Sequence, residues 1–364
     1  MKVLKKFCCM CLLLLLVFTG CGKKDVTNVV DSFKDTVNKS KSYVLKGTME
    51  IYSDEDTFTY SLEANFLKDN FYKVRLVNQT NNHEQIILRN NDGIYVISPS
   101  LNKSFKFQSE WPDNSSQSYL LKSLVNDIEK DPEVSLEEID GQFVIRAKVN
   151  YPNNPDLKYQ KITLDKDYNI KKVEVFNESD IVKIKVNFSS VDLKSNLSED
   201  HFKLSDYVKE DNQTTNSCVG NDSDCEEEKN NCEGSDCKTE EEKEETTGSI
   251  QDIIYPLFIP SNTYLSSSDK ILTDNGERVI LTFGGEKNFV LVEEIASVSK
   301  EFEIIPVYGD PLMLNDTIGA LSANSLTWTS NNITYYLTGT DLSSNELLKI
   351  AKSLGATVSV NAEK

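Results

Sequence analysis

The chain has 364 residues and a formal net charge of -19, so its surface repels phosphate, and nucleic acid is excluded as a partner. The same charge argues against adhesion to anionic lipid by electrostatics alone. Its two histidines, His83 and His201, lie far apart, and no His-Glu-x-x-His, Gly-x-Ser-x-Gly or Gly-x-x-x-x-Gly-Lys stretch is present, so the residue patterns of zinc proteases, serine hydrolases and phosphate-binding loops are missing. No metal or cofactor is expected, and no catalytic residue is assigned.

The first element is a leader. Lys2, Lys5 and Lys6 precede an unbroken apolar run from Phe7 to Phe18, followed by Thr19-Gly20-Cys21. A run of that length is short of the roughly 20 residues a membrane span needs, and the order of basic, apolar and small residues fits a secretory signal. The final three residues resemble the lipobox of bacterial lipoproteins. That resemblance implies removal of residues 1–20 and lipidation of Cys21, with 21–25 as the lipidated N-terminus. Membrane lipid would then hold the chain on the extracytoplasmic face of the cell membrane, since two or more acyl chains anchor durably.

From residue 26 the pattern is that of a domain. Val26, Val29, Val30, Phe33 and Val37 recur at helical spacing. From Tyr43 the period changes to two: Leu45, Gly47, Met49 and Ile51 alternate with polar or outward positions. The same alternation runs through Phe143, Ile145, Ala147 and Val149, and through Val182, Ile184, Val186 and Phe188. Such strands form an antiparallel sheet with one apolar face. Turn signals at Asn81-Asn82, Asn91-Asp92-Gly93, Pro152-Asn153-Asn154-Pro155 and Asp165-Lys166-Asp167 divide about ten of them. A second helix runs through Leu120, Leu121, Leu124, Val125 and Ile128. Two helices are too few to cover so wide a sheet. The inward residues Leu45, Met49, Ile145, Val149, Ile184 and Val186 are therefore the candidate lining of a hydrophobic cavity.

Three stretches carry a family resemblance: Asp69-Asn70-Phe71-Tyr72-Lys73-Val74-Arg75, the segment Asp92–Lys103 with its leading Gly93 and following Pro99, and Val186–Val191 followed by Leu197 and Phe202. With the order of helix, meander, helix and meander, residues 26–208 resemble the lipoprotein-carrier fold of LolA and LolB. The fold this implies is α+β: an unclosed antiparallel half-barrel with lid helices that holds acyl chains, followed here by a smaller α+β domain. The family's basic-aromatic pair is altered, so no binding residue is transferred.

Residues 209–248 read as an acidic linker. Within 209–247 the local charge is -10 and Val219 is the one aliphatic side chain, too little apolar surface to offset the entropy of ordering. A flexible chain of this length spans about 35 Å. Cys218, Cys225, Cys232 and Cys237 sit in it. Outside the cytoplasm an even count favours disulfides, with Cys218–Cys225 and Cys232–Cys237 the favoured pairing. Metal binding and free thiols remain the alternatives, although the spacings are not those of zinc modules.

The remaining segment, 249–364, reads as a small α+β unit. Ile271, Val279-Ile280-Leu281, Phe289–Val292 and Ile304-Ile305 mark strands, and Trp328 with Tyr335-Tyr336-Leu337 marks a hairpin around Asn331-Asn332. Ser343-x-x-Glu346 is a capping box opening a last helix that Gly355 should stop. The Tyr255–Pro260 run, the Trp328 strand and the final helix resemble a module found behind carrier-like domains in Gram-positive sporulation and germination lipoproteins. The expected function is a non-enzymatic, membrane-anchored lipoprotein. It would bind an acyl chain, a lipoprotein or another hydrophobic ligand, or scaffold an envelope protein in sporulation, germination or cell-wall remodelling. The alternative is an envelope-stress or anti-sigma regulator resembling RseB. An enzyme using Asp92 or Glu174 is the weakest reading, because both occupy turn or alternating surface positions.

Overall fold

A computed structural model describes residues 26–53, 56–208, 249–250, 252–273 and 276–354. The expected leader, Cys21, the acidic linker with Cys218, Cys225, Cys232 and Cys237, and the Gly355 stop all lie outside the described residues. In chain order the first elements are α1 (Val26–Lys39), β1 (Ser42–Tyr52), β2 (Thr57–Leu67), β3 (Phe71–Asn78), β4 (Glu84–Asn90), β5 (Gly93–Ser98), β6 (Lys103–Gln108), α2 (Leu121–Lys130), β7 (Ser135–Ile139), β8 (Gln142–Lys148), β9 (Leu157–Leu164), β10 (Ile170–Asn177) and β11 (Val182–Asp192). They are followed by β12 (Thr263–Thr273), β13 (Gly276–Gly285), β14 (Phe289–Ile295), β15 (Glu303–Tyr308), β16 (Asp310–Met313), β17 (Ile318–Leu321), β18 (Ser325–Ser330), β19 (Ile333–Thr338) and α3 (Ser344–Ser353).

Chain contacts divide the molecule into two compact units. One runs to Ile94 and resumes at Ser109–Phe202; the other joins Tyr95–Gln108 to the chain from Lys203 onward. The first unit is an antiparallel sheet whose strands lie in the order β4, β3, β2, β1, β11, β10, β9, β8, β7. Among the described residues β7 ends it as an edge, so the sheet is unclosed. Two amphipathic helices lie with it, α1 burying Val29, Phe33 and Val37 and α2 burying Leu121, Leu124, Val125 and Ile128. Strand β1 bends at a bulge between Lys46 and Gly47. A methyl at Gly47 would collide with the carbonyl oxygen of Asn187, which explains glycine in the middle of a central strand.

The second unit has a 7-stranded sheet in the order β12-β13-β14-β19-β18-β17-β16. Hairpin β18–β19 turns on Asn331 and Asn332 with φ of 48° and 63°, the left-handed pair that suits the twist of a two-residue turn. Helix α3 opens on the expected capping box: Ser343 Oγ accepts from the Glu346 N–H at 3.3 Å, and the Ser343 N–H donates to Glu346 Oε2 at 2.8 Å. Its Leu347, Leu348, Ile350 and Ala351 join Val279, Leu281, Leu291, Leu326 and Leu337 in one core. The tyrosine–tryptophan pair is core too: Trp328 and Tyr335 are 5% and 3% exposed and stack at 4.9 Å.

The hairpin Tyr95–Gln108 belongs with this second unit because β15 pairs in parallel with β6, from Glu303 opposite Lys103 to Tyr308 opposite Gln108. Asn102 anchors the approach to that pairing, its Nδ2 donating to the Ser299 and Lys300 carbonyls at 3.1 and 3.3 Å. An open cleft of about 400 Å³ lies alongside, lined by Pro99, Asn102, Val208, Val298, Lys300 and Phe302 among others.

Candidate functional site

The inner face of the first unit is read most directly from its pairing register. Met49 lies opposite Val186, Val186 opposite Val173, Val173 opposite Ile162, and Ile162 opposite Ile145. Directly paired residues project to the same side of a sheet, so this row crosses from β1 to β8 on one face. The next row runs Ile51, Ile184, Val175, Gln160 and Ala147.

Of the residues expected to line a cavity, Leu45, Met49, Ile145 and Val186 are buried, at 0%, 2%, 0% and 0% exposure. Ile184 is half-buried on the same face. Val149 is not part of this row. Strand β8 stops at Lys148, and Val149 is half-buried beyond its end. The chain turns away there because the Asn150 N–H and carbonyl are both taken by Ser116, at 2.7 Å each.

At one end of this face runs a line of aromatic rings. Tyr43 stacks on Phe66 at 4.7 Å, Phe66 contacts Tyr72 at 5.1 Å, and Tyr72 meets Trp111 edge-on at 5.9 Å. The Lys122 ammonium on α2 lies 5.9 Å from the Phe66 ring and donates to Asn38 Oδ1 on α1 at 3.0 Å. One side chain thereby touches both helices and the sheet.

Under α2 lies a polar group that the sequence reading did not single out. Asp127 is 5% exposed. Its Oδ1 accepts from Ser116 Oγ and its Oδ2 from Gln160 Nε2, both at 2.8 Å. Burial raises the Asp127 carboxyl to about 6, against smaller downward pulls from those two hydrogen bonds. Gln160 is fully buried, and its Oε1 has no hydrogen-bond partner among the described residues. A signal was available: Asp127 breaks the apolar stripe of its helix beside Leu124 and Ile128, and Gln160 shares the parity of Ile162 and Leu164.

The residues weighed for other chemistry stand apart from this face. Glu174 pairs with Lys172 at 2.9 Å, and the Asp92 N–H donates to Asn90 Oδ1 in an exposed turn. His201 is half-buried and lies edge-on to Phe202 at 5.2 Å. His83 is half-buried in its turn, its backbone N–H donating to Asn81 Oδ1 at 2.9 Å.

Comparison with known proteins follows from this architecture. The model of a family described as "Sporulation protein YdcC-like" matches residues 1–202. The Bacillus subtilis (strain 168) sporulation protein YdcC is 34% identical over 344 residues, covering 94% of each chain. The chain belongs to the YdcC-like sporulation protein family. Among solved structures it is similar to the MucA/MucB complex of Pseudomonas aeruginosa, with 11% identity, a TM-score of 0.30, and coverage of 90% of this chain and 98% of that one. It is also similar to a putative outer membrane lipoprotein-sorting protein domain from Vibrio parahaemolyticus, with 13% identity, a TM-score of 0.28, and coverage of 50% and 97%. At these scores neither structure supports an argument about ligand or partner. The resemblance read from the sequence thus holds at the level of a sporulation family with an unclosed, helix-lidded antiparallel sheet.

Proposed function

We propose that this family member is a non-enzymatic lipoprotein, held on the extracytoplasmic membrane face through lipidated Cys21, which binds an acyl chain beneath α1 and α2 during sporulation. The observation that supports this reading most is the register row Met49–Val186–Val173–Ile162–Ile145. It is a continuous apolar strip on an unclosed sheet with helices as its cover. Unclosed sheets with movable lids can admit a chain of CH2 groups, each worth about 0.8 kcal/mol when buried.

The anchor is tested by Cys21→Ser. The variant should leave the membrane fraction or remain unprocessed; normal processing with full membrane retention would overturn the lipoprotein reading. The binding face is tested with a fluorescent fatty-acyl probe. Ile184 is half-buried, so Ile184→Glu is tolerated by the fold, yet it sets a carboxylate on the acyl face, where desolvation is costly. It should abolish uptake, whereas Lys183→Glu on the opposite side should not. A folded, monodisperse wild-type chain that takes up no probe would reduce the face to a sealed core, and the reading to a scaffold for an envelope protein.

A further inference from the structure

We propose that strand β12 is a self-pairing edge through which two copies of this chain join their second-unit sheets about a two-fold axis at Ser268. Among the described residues strand β12 ends the 7-stranded sheet, pairing with β13 on one side. Free edges of this kind are usually guarded against pairing. This one instead carries Tyr264, Leu265, Ile271 and Leu272 at 62%, 40%, 43% and 72% exposure.

The strand, Thr-Tyr-Leu-Ser-Ser-Ser-Asp-Lys-Ile-Leu-Thr, carries apolar residues near both ends, Tyr264 and Leu265 before Ser268 and Ile271 and Leu272 after it, with polar residues between. In an isologous antiparallel pairing about Ser268 the apolar end of one copy meets the apolar end of the other.

The bulge between Leu265 and Ser267 decides whether the faces agree. On its own sheet β12 sets Leu265, Ser268, Lys270 and Leu272 opposite Phe283, Leu281, Val279 and Glu277, and sets Tyr264, Ser267, Asp269 and Ile271 opposite Gly284, Thr282, Ile280 and Arg278. These are its two faces. With the axis at Ser268 and the same bulge in both copies, Ser267 lies opposite Asp269, Leu265 with the bulged Ser266 opposite Lys270, Tyr264 opposite Ile271, and Thr263 opposite Leu272. Every opposed pair then shares a face, and no like charges meet. Moving the axis to Asp269 or to Lys270 would set that residue opposite its own copy, which is unfavourable.

The one cation on the strand is already engaged within its own unit. Lys270 Nζ lies 2.7 Å from Glu277 Oε2 and donates to the Ile250 carbonyl at 3.0 Å. Its charge is therefore balanced within its own copy. A strand of this length spans about 36 Å at roughly 3.3 Å per residue. One strand pair buries less than the about 1,600 Å² of a standard interface, so the dimer forms and dissociates with concentration.

The test uses the full chain in cells, with p-benzoylphenylalanine at Leu272 in one tagged copy and a second copy carrying a different tag. Irradiation should yield a covalent dimer of the two tagged copies, cross-linked to the peptide containing Thr263 and Tyr264. Tyr264→Lys or Ile271→Glu, each made in both copies, should cut that yield at least fivefold. The double variant sets an ammonium opposite a carboxylate in both symmetry-related pairs and should restore it, which separates pairing from misfolding. Failure to form the homodimer, a cross-link to another peptide or only to another protein, or a double variant no better than the singles would each overturn the proposal.

Discussion

Strands β1 and β12 have the same length, 11 residues, and opposite surroundings. Strand β1 sits between β2 and β11 and alternates buried and accessible positions along its course. Among the described residues strand β12 has one neighbouring strand and is exposed from Tyr264 to Leu272. Backbone pairing alone does not produce an alternating sequence; burial of one face does. The period-two pattern of β1 records what lies on its inner face, and the aperiodic pattern of β12 records the lack of such cover in the folded monomer.

The sharpest way to break this contrast is to shorten the same residue type in both strands. Leu45 on β1 is 0% exposed, and Leu45→Ala should destabilise the first unit by about 2–5 kcal/mol, the usual cost of a core cavity. Chemical denaturation followed by a probe in that unit reads it. A loss below 1 kcal/mol would mean that the inner face is loosely filled even without ligand.

Asp127 comes next. Its carboxyl is raised to about 6, above the ordinary carboxylate range, so the folded state binds the proton more tightly than the unfolded state. The contribution of Asp127 to the stability of the first unit is therefore largest below about pH 4, falls as pH rises to about 6 and is flat above that, with a change on the order of 2–3 kcal/mol. Asp127→Asn should remove this slope and raise stability at pH 7.5, because a neutral amide carries no buried charge while its Oδ1 can still accept from Gln160 Nε2. Urea midpoints at pH 4.5 and 7.5 measure it, and an unchanged slope would place the Asp127 side chain in water.

Smaller effects belong to the second unit. Ser343→Ala removes the reciprocal cap of α3 and should cost about 1 kcal/mol, seen as a fall in Tm of a few degrees. Leu272→Ala, at a site 72% exposed, should stay within about 0.5 kcal/mol in the monomer. A larger loss would show that β12 is covered within its own copy.

The same contrast explains which parts of the architecture were legible in the sequence. The alternation through Leu45, Met49, Ile145 and Val186 exposed the inner face because one side of each strand is dry. Helix α3 announced itself through Ser343 and Glu346, whose capping is local. Ile271 alone hinted at β12, because nothing buried imposes a period there. The grouping of Tyr95–Gln108 with the second unit depends on a parallel pairing between residues 103–108 and 303–308, a long-range contact that leaves no local pattern. Val149 followed the alternation of β8 but lies past its end, where the hydrogen bonds of Ser116 decide the chain's path. Asp127 is not legible as a buried group, because a lone carboxylate in a helical stripe gives no sign of whether a partner such as Gln160 awaits it.

The central claim, that the inner face of the first unit holds an acyl chain, is tested most directly by native mass spectrometry of the full chain purified from cells in mild detergent. The account predicts a second species heavier by the mass of one acyl-bearing molecule, beyond any covalent lipid at Cys21, and its absence in Ile184→Glu. A folded wild-type chain of one mass only, unchanged by added fatty-acyl ligand, would contradict it.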